Sequence, residues 1–170
     1  FRSRMSLAPT RVAASRCAFA APATADFETP VNFAVGTGPA DLEAADFNGD
    51  RLPDVAVANK TSNTVSVLLG SPISQFTPAV NYSTGASTGP GSITVLDIQR
   101  NGRDDVVTGN QTSGNLSQMF GNGLGALGNA VTLTATGGVG AVWSDDINGD
   151  PAPDLVYTNP TGATMSRRIN

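Results

Sequence analysis

Histidine is absent from this chain of 170 residues. Its absence removes Ser-His-Asp and Cys-His catalysis, and with them any His-ligated zinc. Cysteine occurs once, as Cys17, so no internal disulfide can form. Charged residues are only 14% of the chain and aromatic residues 6%, with a net charge of −4. No basic stripe with interleaved aromatics appears, which argues against nucleic acid as a partner. No apolar run is long enough to span a bilayer. The length suits one domain with a real hydrophobic core.

Against this background one acidic loop stands out, because it is written three times. Asp46-Phe47-Asn48-Gly49-Asp50-Arg51-Leu52-Pro53-Asp54 returns as Asp97-Ile98-Gln99-Arg100-Asn101-Gly102-Arg103-Asp104-Asp105, and again as Asp146-Ile147-Asn148-Gly149-Asp150-Pro151-Ala152-Pro153-Asp154. The first Asp recurs after 51 residues and then after 49. A fixed period in this range marks a repeat protein. Around each loop the same series of runs recurs. A short alternating run precedes it (40–45, 91–96, 140–145), and an apolar run ending in Asn59, Asn110 or Asn159 follows it. After a polar turn comes a third run (64–69, 115–120, 163–168), with a fourth at 78–83 and 129–135. Each is short, rich in Val, Thr, Ile or Leu, and bounded by Gly, Pro, Asn or Ser, which is the chemistry of strands and turns. No helical period is found between residues 27 and 170. The sequence therefore predicts an all-β fold of radially repeated four-stranded units, as in β-propeller blades.

The chain resembles the FG-GAP/VCBS repeat family, which includes the integrin α-subunit propellers and many bacterial surface proteins. The residues that carry the resemblance are 45–50, Pro53-Asp54-Val55-Ala56-Val57-Ala58-Asn59 and Thr64-Val65-Ser66-Val67-Leu68-Leu69-Gly70. It extends over about residues 27–170, with the second copy the most degenerate. The resemblance implies three repeats (about 40–84, 91–135 and 140–170) of a partial or oligomer-completed propeller.

The loop chemistry stands without the family. Calcium takes six to eight oxygens from carboxylates, amides, carbonyls and water. Asp46, Asn48 and Asp50 supply three such ligands, Gly49 permits the sharp turn, the Leu52 carbonyl follows, and Asp54 closes the set. The third copy offers Asp146, Asn148, Asp150, the Ala152 carbonyl and Asp154. The second keeps Asp97 and Asp105 but holds Gln99 and Asn101 between them, beside Arg100 and Arg103, so weak binding or none is expected there. An EF-hand is excluded, since its sixth position needs Gly and its twelfth Glu, whereas the first copy has Arg51 and Val57. The competing reading is that these Asp and Asn residues only shape turns. The recurrence of D-x-N-G-D-x-x-x-D favours a structural Ca2+. Eight of the fourteen acids occupy these loop positions, and the adjacent pairs Asp104-Asp105 and Asp145-Asp146 read as one ligand beside one exposed neighbour, not as a catalytic dyad.

Residues 1–26 differ: they carry Arg2, Arg4, Arg11 and Arg16, are dense in Ala, and have no acid before Asp26. They predict a flexible or partner-docked arm, or a processed signal-like segment. The run 29–35 parallels 80–84 and predicts a closing strand, to complete the third unit of a second copy by strand donation. Blade-edge contacts giving a filament or a longer propeller are the other ways of meeting the exposed edges. Four N-x-S/T sequons, at Asn59, Asn81, Asn110 and Asn115, predict accessible acceptors on edge turns. Together these features predict a calcium-binding, extracellular or cell-surface scaffold without enzymatic activity, for adhesion, recognition or assembly with a glycan or protein ligand. Trp143 and Tyr157 are its candidate contact residues. The alternative is the propeller portion of a secreted polysaccharide-acting enzyme.

Overall fold

The computed structural model describes residues 28–170, so the expected N-terminal arm and Cys17 lie outside the described residues. Among the described residues thirteen strands follow one another. The first unit contains β1 (Pro39–Ala45), β2 (Asp54–Asn59), β3 (Thr64–Leu68), β4 (Gly70–Ser71), β5 (Gln75–Phe76) and β6 (Val80–Ser83). The second contains β7 (Pro90–Leu96), β8 (Asp105–Asn110), β9 (Asn115–Met119) and β10 (Val131–Leu133). The third contains β11 (Val142–Asp145), β12 (Asp154–Asn159) and β13 (Thr164–Arg168).

Neighbouring strands pair antiparallel, which tight turns between consecutive runs allow. The sheets have the orders β1-β2-β3-β6, β7-β8-β9-β10 and β11-β12-β13. The register repeats: Ala45 faces Asp54, Leu96 faces Asp105, and Asp145 faces Asp154. Each acidic loop is thus the connection between the first and second strands of its sheet. No pairing among the described residues closes the three sheets into a ring.

Two apolar clusters lie between the sheets. Val106 and Met119 of the second sheet meet Phe47, Ala56, Ala58, Val65 and Val67 of the first unit. Val107 and Leu116, on the opposite face, meet Val142, Leu155 and Tyr157 of the third. The middle sheet is covered on both faces, and every residue of β8 is buried. This is why Val106-Val107-Thr108-Gly109 reads as a continuous run and not as an alternating one.

The sheets also meet through side chains that receive backbone N–H groups. Asp41 Oδ2 accepts from Ile93 N at 3.0 Å and Glu43 Oε2 from Val95 N at 2.9 Å. One unit later, Ser92 Oγ accepts from Val142 N at 3.1 Å. The N–H groups of the edge strands β7 and β11 are thereby satisfied by the unit before, as buried donors require.

Three expectations change. Residues 29–35 form no strand; Phe33 instead packs edge-on against Phe76, with ring centroids 5.2 Å apart. Tyr157 belongs to the core at 5% exposure, while Trp143 is exposed. Asn59 and Asn110 are wholly buried and are no edge-turn acceptors. Asn59 Nδ2 donates to Ser66 Oγ at 2.8 Å, and Asn110 Nδ2 donates to Ser117 Oγ at 2.7 Å. These asparagines tie the second strand to the third. Asn81 is exposed and Asn115 half-buried.

Candidate metal centre

In the first loop Asp46 sits where β1 ends, and its carboxylate collects the turn. Oδ1 accepts from Gly49 N at 2.8 Å and Asp50 N at 3.1 Å, and Oδ2 from Arg51 N at 2.9 Å. Asn48 Oδ1 accepts from Asp50 N at 3.0 Å, and its amide donates to Asp50 Oδ2 at 2.9 Å. Leu52 enters through its N–H, which donates to Asp50 Oδ1 at 2.8 Å. The third loop repeats this. Asp146 Oδ1 accepts from Gly149 N and Asp150 N at 2.6 and 3.2 Å. Asn148 Nδ2 donates to Asp150 Oδ2 at 2.8 Å, and Ala152 N donates to Asp150 Oδ1 at 2.9 Å.

The second loop reaches a similar turn with other residues. Asp97 accepts from Asn101 N at 3.0 Å and from Gly102 N at 2.7 Å, and Asn101 Nδ2 donates to Gln99 Oε1 at 3.0 Å. Each loop visits the left-handed region twice, at its fourth and sixth positions. These are Gly49 (φ 77°) and Arg51 (φ 68°) in the first, and Arg100 (φ 55°) and Gly102 (φ 75°) in the second. The glycine has moved from one left-handed position to the other. Arg103 lies along Gly123.

The closing aspartates do something local sequence pattern did not reveal. Asp54, Asp105 and Asp154 are each 0% exposed. One oxygen of each accepts the N–H seven residues back: Phe47 N at 2.9 Å, Ile98 N at 3.0 Å and Ile147 N at 3.2 Å. The other accepts the N–H sixteen residues on: Gly70 N at 2.6 Å, Gly121 N at 2.8 Å and Asn170 N at 2.8 Å. Asp54 and Asp105 are therefore staples between the loop and the segment that follows the third strand, and Asp154 joins its loop to Asn170 in the same way. Burial pushes Asp54 and Asp105 above the usual carboxylate range, against the pull of these N–H donors, and nearby carboxylates (Asp50 and Asp46 for Asp54, Asp97 for Asp105) push the same way. Asp104 is a further acid that the repeat pattern did not single out. It is half-buried, its Oδ2 accepts from Asp46 N at 3.3 Å, and it thereby joins the second loop to the first.

Does this arrangement fit a calcium ion? The donor set does, being all oxygen, with carboxylates crowded about a turn. Asp46, Asn48 and Asp50 keep unused lone pairs, since a carboxylate offers about four acceptor sites. The packing is that of a loop satisfied by its own hydrogen bonds: among the described residues no three His, Cys, Asp or Glu side chains are grouped to hold a metal. The Asn48 and Asn148 amide nitrogens donate to Asp50 and Asp150, while their oxygens accept the Asp50 and Asp150 N–H groups inside the loop.

Antiparallel sheets of this register, each opened by the same acidic turn, define an all-β repeat protein. A family model described as an FG-GAP-like repeat matches residues 46–108, from the first acid of the first loop into β8. Over that span the chain is similar to an FG-GAP-like repeat, and the third loop lies beyond it. A comparison with curated proteins gave no significant match. No helix among the described residues is long and apolar enough to cross a membrane.

Proposed function

We propose that this chain is a calcium-binding, non-catalytic repeat scaffold that works outside the cell in recognition or assembly. The observation that carries the reading is the recurrence of one oxygen set in two loops of the same hydrogen-bonded form. Asp46, Asn48, Asp50, the Leu52 carbonyl and Asp54 would hold one ion, and Asp146, Asn148, Asp150, the Ala152 carbonyl and Asp154 a second. The second loop, with Gln99 and Asn101 in place of a middle carboxylate, is the poorest of the three. A bound ion supplies positive charge where Asp46 and Asp50 crowd Asp54, and so stiffens the turn. Weak sites of this kind fill where calcium reaches the millimolar range, as for other extracellular modules. Self-association through strand addition belongs to the same reading: among the described residues β13 has no outer neighbour in its sheet, unlike β3 and β9.

Thermal melts with calcium and with chelator test the reading, on the parent chain and on Asp46→Asn/Asp146→Asn. A ligand at 100 times its dissociation constant adds about 2.7 kcal/mol to the folded state. A chelator-reversible rise of several degrees that the variant lacks is expected. Equal melting in both conditions would overturn ion binding and leave the loops as turns. Light scattering at micromolar concentration tests self-association, and a stable monomer refutes it.

A further inference from the structure

Four Asn-Gly pairs occur in the chain: Asn48-Gly49, Asn101-Gly102, Asn122-Gly123 and Asn148-Gly149. Such a pair can cyclise, because glycine has no Cβ to hinder its amide nitrogen in attacking the asparagine side chain. Three of the pairs lie in the acidic loops, and there the atoms that must react are held. Gly49 N and Gly149 N donate to Asp46 Oδ1 and Asp146 Oδ1 at 2.8 and 2.6 Å, and Gly102 N donates to Asp97 Oδ2 at 2.7 Å. The amide nitrogens that would leave are tied as well, Asn48 Nδ2 and Asn148 Nδ2 to Asp50 and Asp150, and Asn101 Nδ2 to Gln99. A carboxylate against an N–H opposes loss of its proton, and each of these bonds must break before the nitrogen can attack.

Asn122-Gly123 is arranged the other way. Among the described residues neither Gly123 N nor Asn122 Nδ2 has a hydrogen-bond partner, although the neighbouring N–H groups of the turn do. The Arg103 side chain lies along Gly123, where a Cβ would touch its Nε, and a cation beside the nitrogen favours its deprotonated form. Asn122 Oδ1 accepts from Leu124 N at 2.8 Å and from Ala126 N at 3.0 Å. Two donors thus draw charge from Asn122 Cγ and stand where an oxyanion develops during attack. Asn122 is exposed, so water reaches it. The turn itself does not need an amide: Ser71, 51 residues earlier, uses its hydroxyl to accept from Ile73 N and Ser74 N.

We propose that Asn122-Gly123 is a self-modification site, which closes to a succinimide and opens to isoaspartate, while the three Asn-Gly pairs of the acidic loops are held back by their own hydrogen bonds. Gly123 N gives its proton to solvent base and bonds to Asn122 Cγ, with the charge on Oδ1 received by Leu124 N and Ala126 N. The Cγ–Nδ2 bond breaks, and the nitrogen leaves as ammonia after taking a proton from water. Water then opens the ring. Cleavage of its bond from Gly123 N to the main-chain carbonyl carbon yields isoaspartate, and cleavage of the bond to Cγ yields aspartate. The net change is one water consumed and one ammonia released, with nothing oxidised or reduced. In the isoaspartate product the former side-chain carbonyl belongs to the main chain, which gains a methylene. The bonds from Leu124 N and Ala126 N cannot all be kept, and the same turn carries Leu127 into the cluster between the first two sheets. The modification therefore loosens that seam slowly and irreversibly, and it goes beyond the ion-binding reading without resting on it.

The test is ageing of the folded chain in mildly alkaline buffer with chelator at physiological temperature, followed over weeks by peptide mapping that separates asparagine, aspartate and isoaspartate. The same chain held unfolded in guanidinium gives the reference rate at each pair. Conversion at Asn122 is expected to be at least as fast folded as unfolded. Conversion at Asn48, Asn101 and Asn148 is expected to be at least ~10-fold slower folded, because breaking one charge-assisted hydrogen bond is worth that factor or more. Hydroxylamine, which cleaves a succinimide, should cut the folded chain at Asn122. Asn122→Ser keeps the acceptor that Ser71 supplies in the first unit, so it should melt like the parent when fresh and should not lose stability on ageing, as the parent does. Conversion at Asn122 no faster than at the three loop asparagines, or an equal loss of stability on ageing in Asn122→Ser, would overturn the proposal.

Discussion

Asp105→Asn is the sharpest test of the staple, because it lies in the loop least suited to an ion. The Asp105 carboxylate is 0% exposed and receives Ile98 N on one oxygen and Gly121 N on the other. Asparagine keeps one acceptor and sets an NH2 group against the remaining N–H. A buried donor left without a partner costs about 1–3 kcal/mol, and a charge-assisted bond is worth roughly twice a neutral one. Relief from burying a charge, which raises the Asp105 pKa, offsets part of the loss. A net destabilisation of about 2 kcal/mol follows. For a domain of this size that is a fall of roughly 6 °C in melting temperature. Urea unfolding followed through Trp143, the single tryptophan, measures it, with the slope checked for constancy. The loss should be the same in calcium and in chelator. A change below about 0.5 kcal/mol, within the range of ordinary surface substitutions, would refute the staple, and so would a loss seen only with calcium present.

Leu116, fully buried in the middle sheet, should cost about 2–5 kcal/mol when cut to Ala, read by the same urea experiment. Glu43 has its pKa raised by burial, against the pull of the Val95 N–H that it accepts. The fold therefore favours its neutral form: its contribution is full below the unfolded pKa and is lost as pH rises through the raised folded value. Glu43→Gln should flatten the fall in unfolding free energy that sets in as pH rises above about 4.5, and an unchanged slope speaks against this. If the chain is secreted through a glycosylating host, mass spectrometry should find glycan on Asn81 and none on Asn59 or Asn110, whose side chains hold Ser66 and Ser117.

The strands were legible because each run is bounded by turn residues and each recurs at nearly the same interval. Even β8, whose alternation is lost, is betrayed by its neighbours in the repeat. The short hairpin β4–β5 was not, since Gly-Ser and Gln-Phe carry no pattern of their own. Nor were the turns at Gly38 and Gly89. Both have positive φ, and a Cβ on either would run into the hydroxyl of Thr61 or Thr112. The Thr-Gly-Pro written at 37–39 and again at 88–90 was the available signal. The acidic positions were found from spacing, but their division of labour was not. Asp46 and Asp54 look alike in sequence, and only tertiary placement makes one a half-exposed turn former and the other a buried clamp. Likewise Asn59 reads as a sequon until its side chain is seen to face inward.

The aspartate staple also makes each unit a lever with two arms. Its oxygens hold two turns that lie far apart in sequence, one at the acidic loop and one beyond the third strand. Whatever displaces Phe47 or Ile98 therefore pulls through the rigid carboxyl plane on Gly70 or Gly121. In the second unit that turn leads directly to Leu127, wedged between the first two sheets. The sixteen-residue arm is equal in all three units, whereas the segments beyond Gly70 and Gly121 differ, the first forming the hairpin β4–β5.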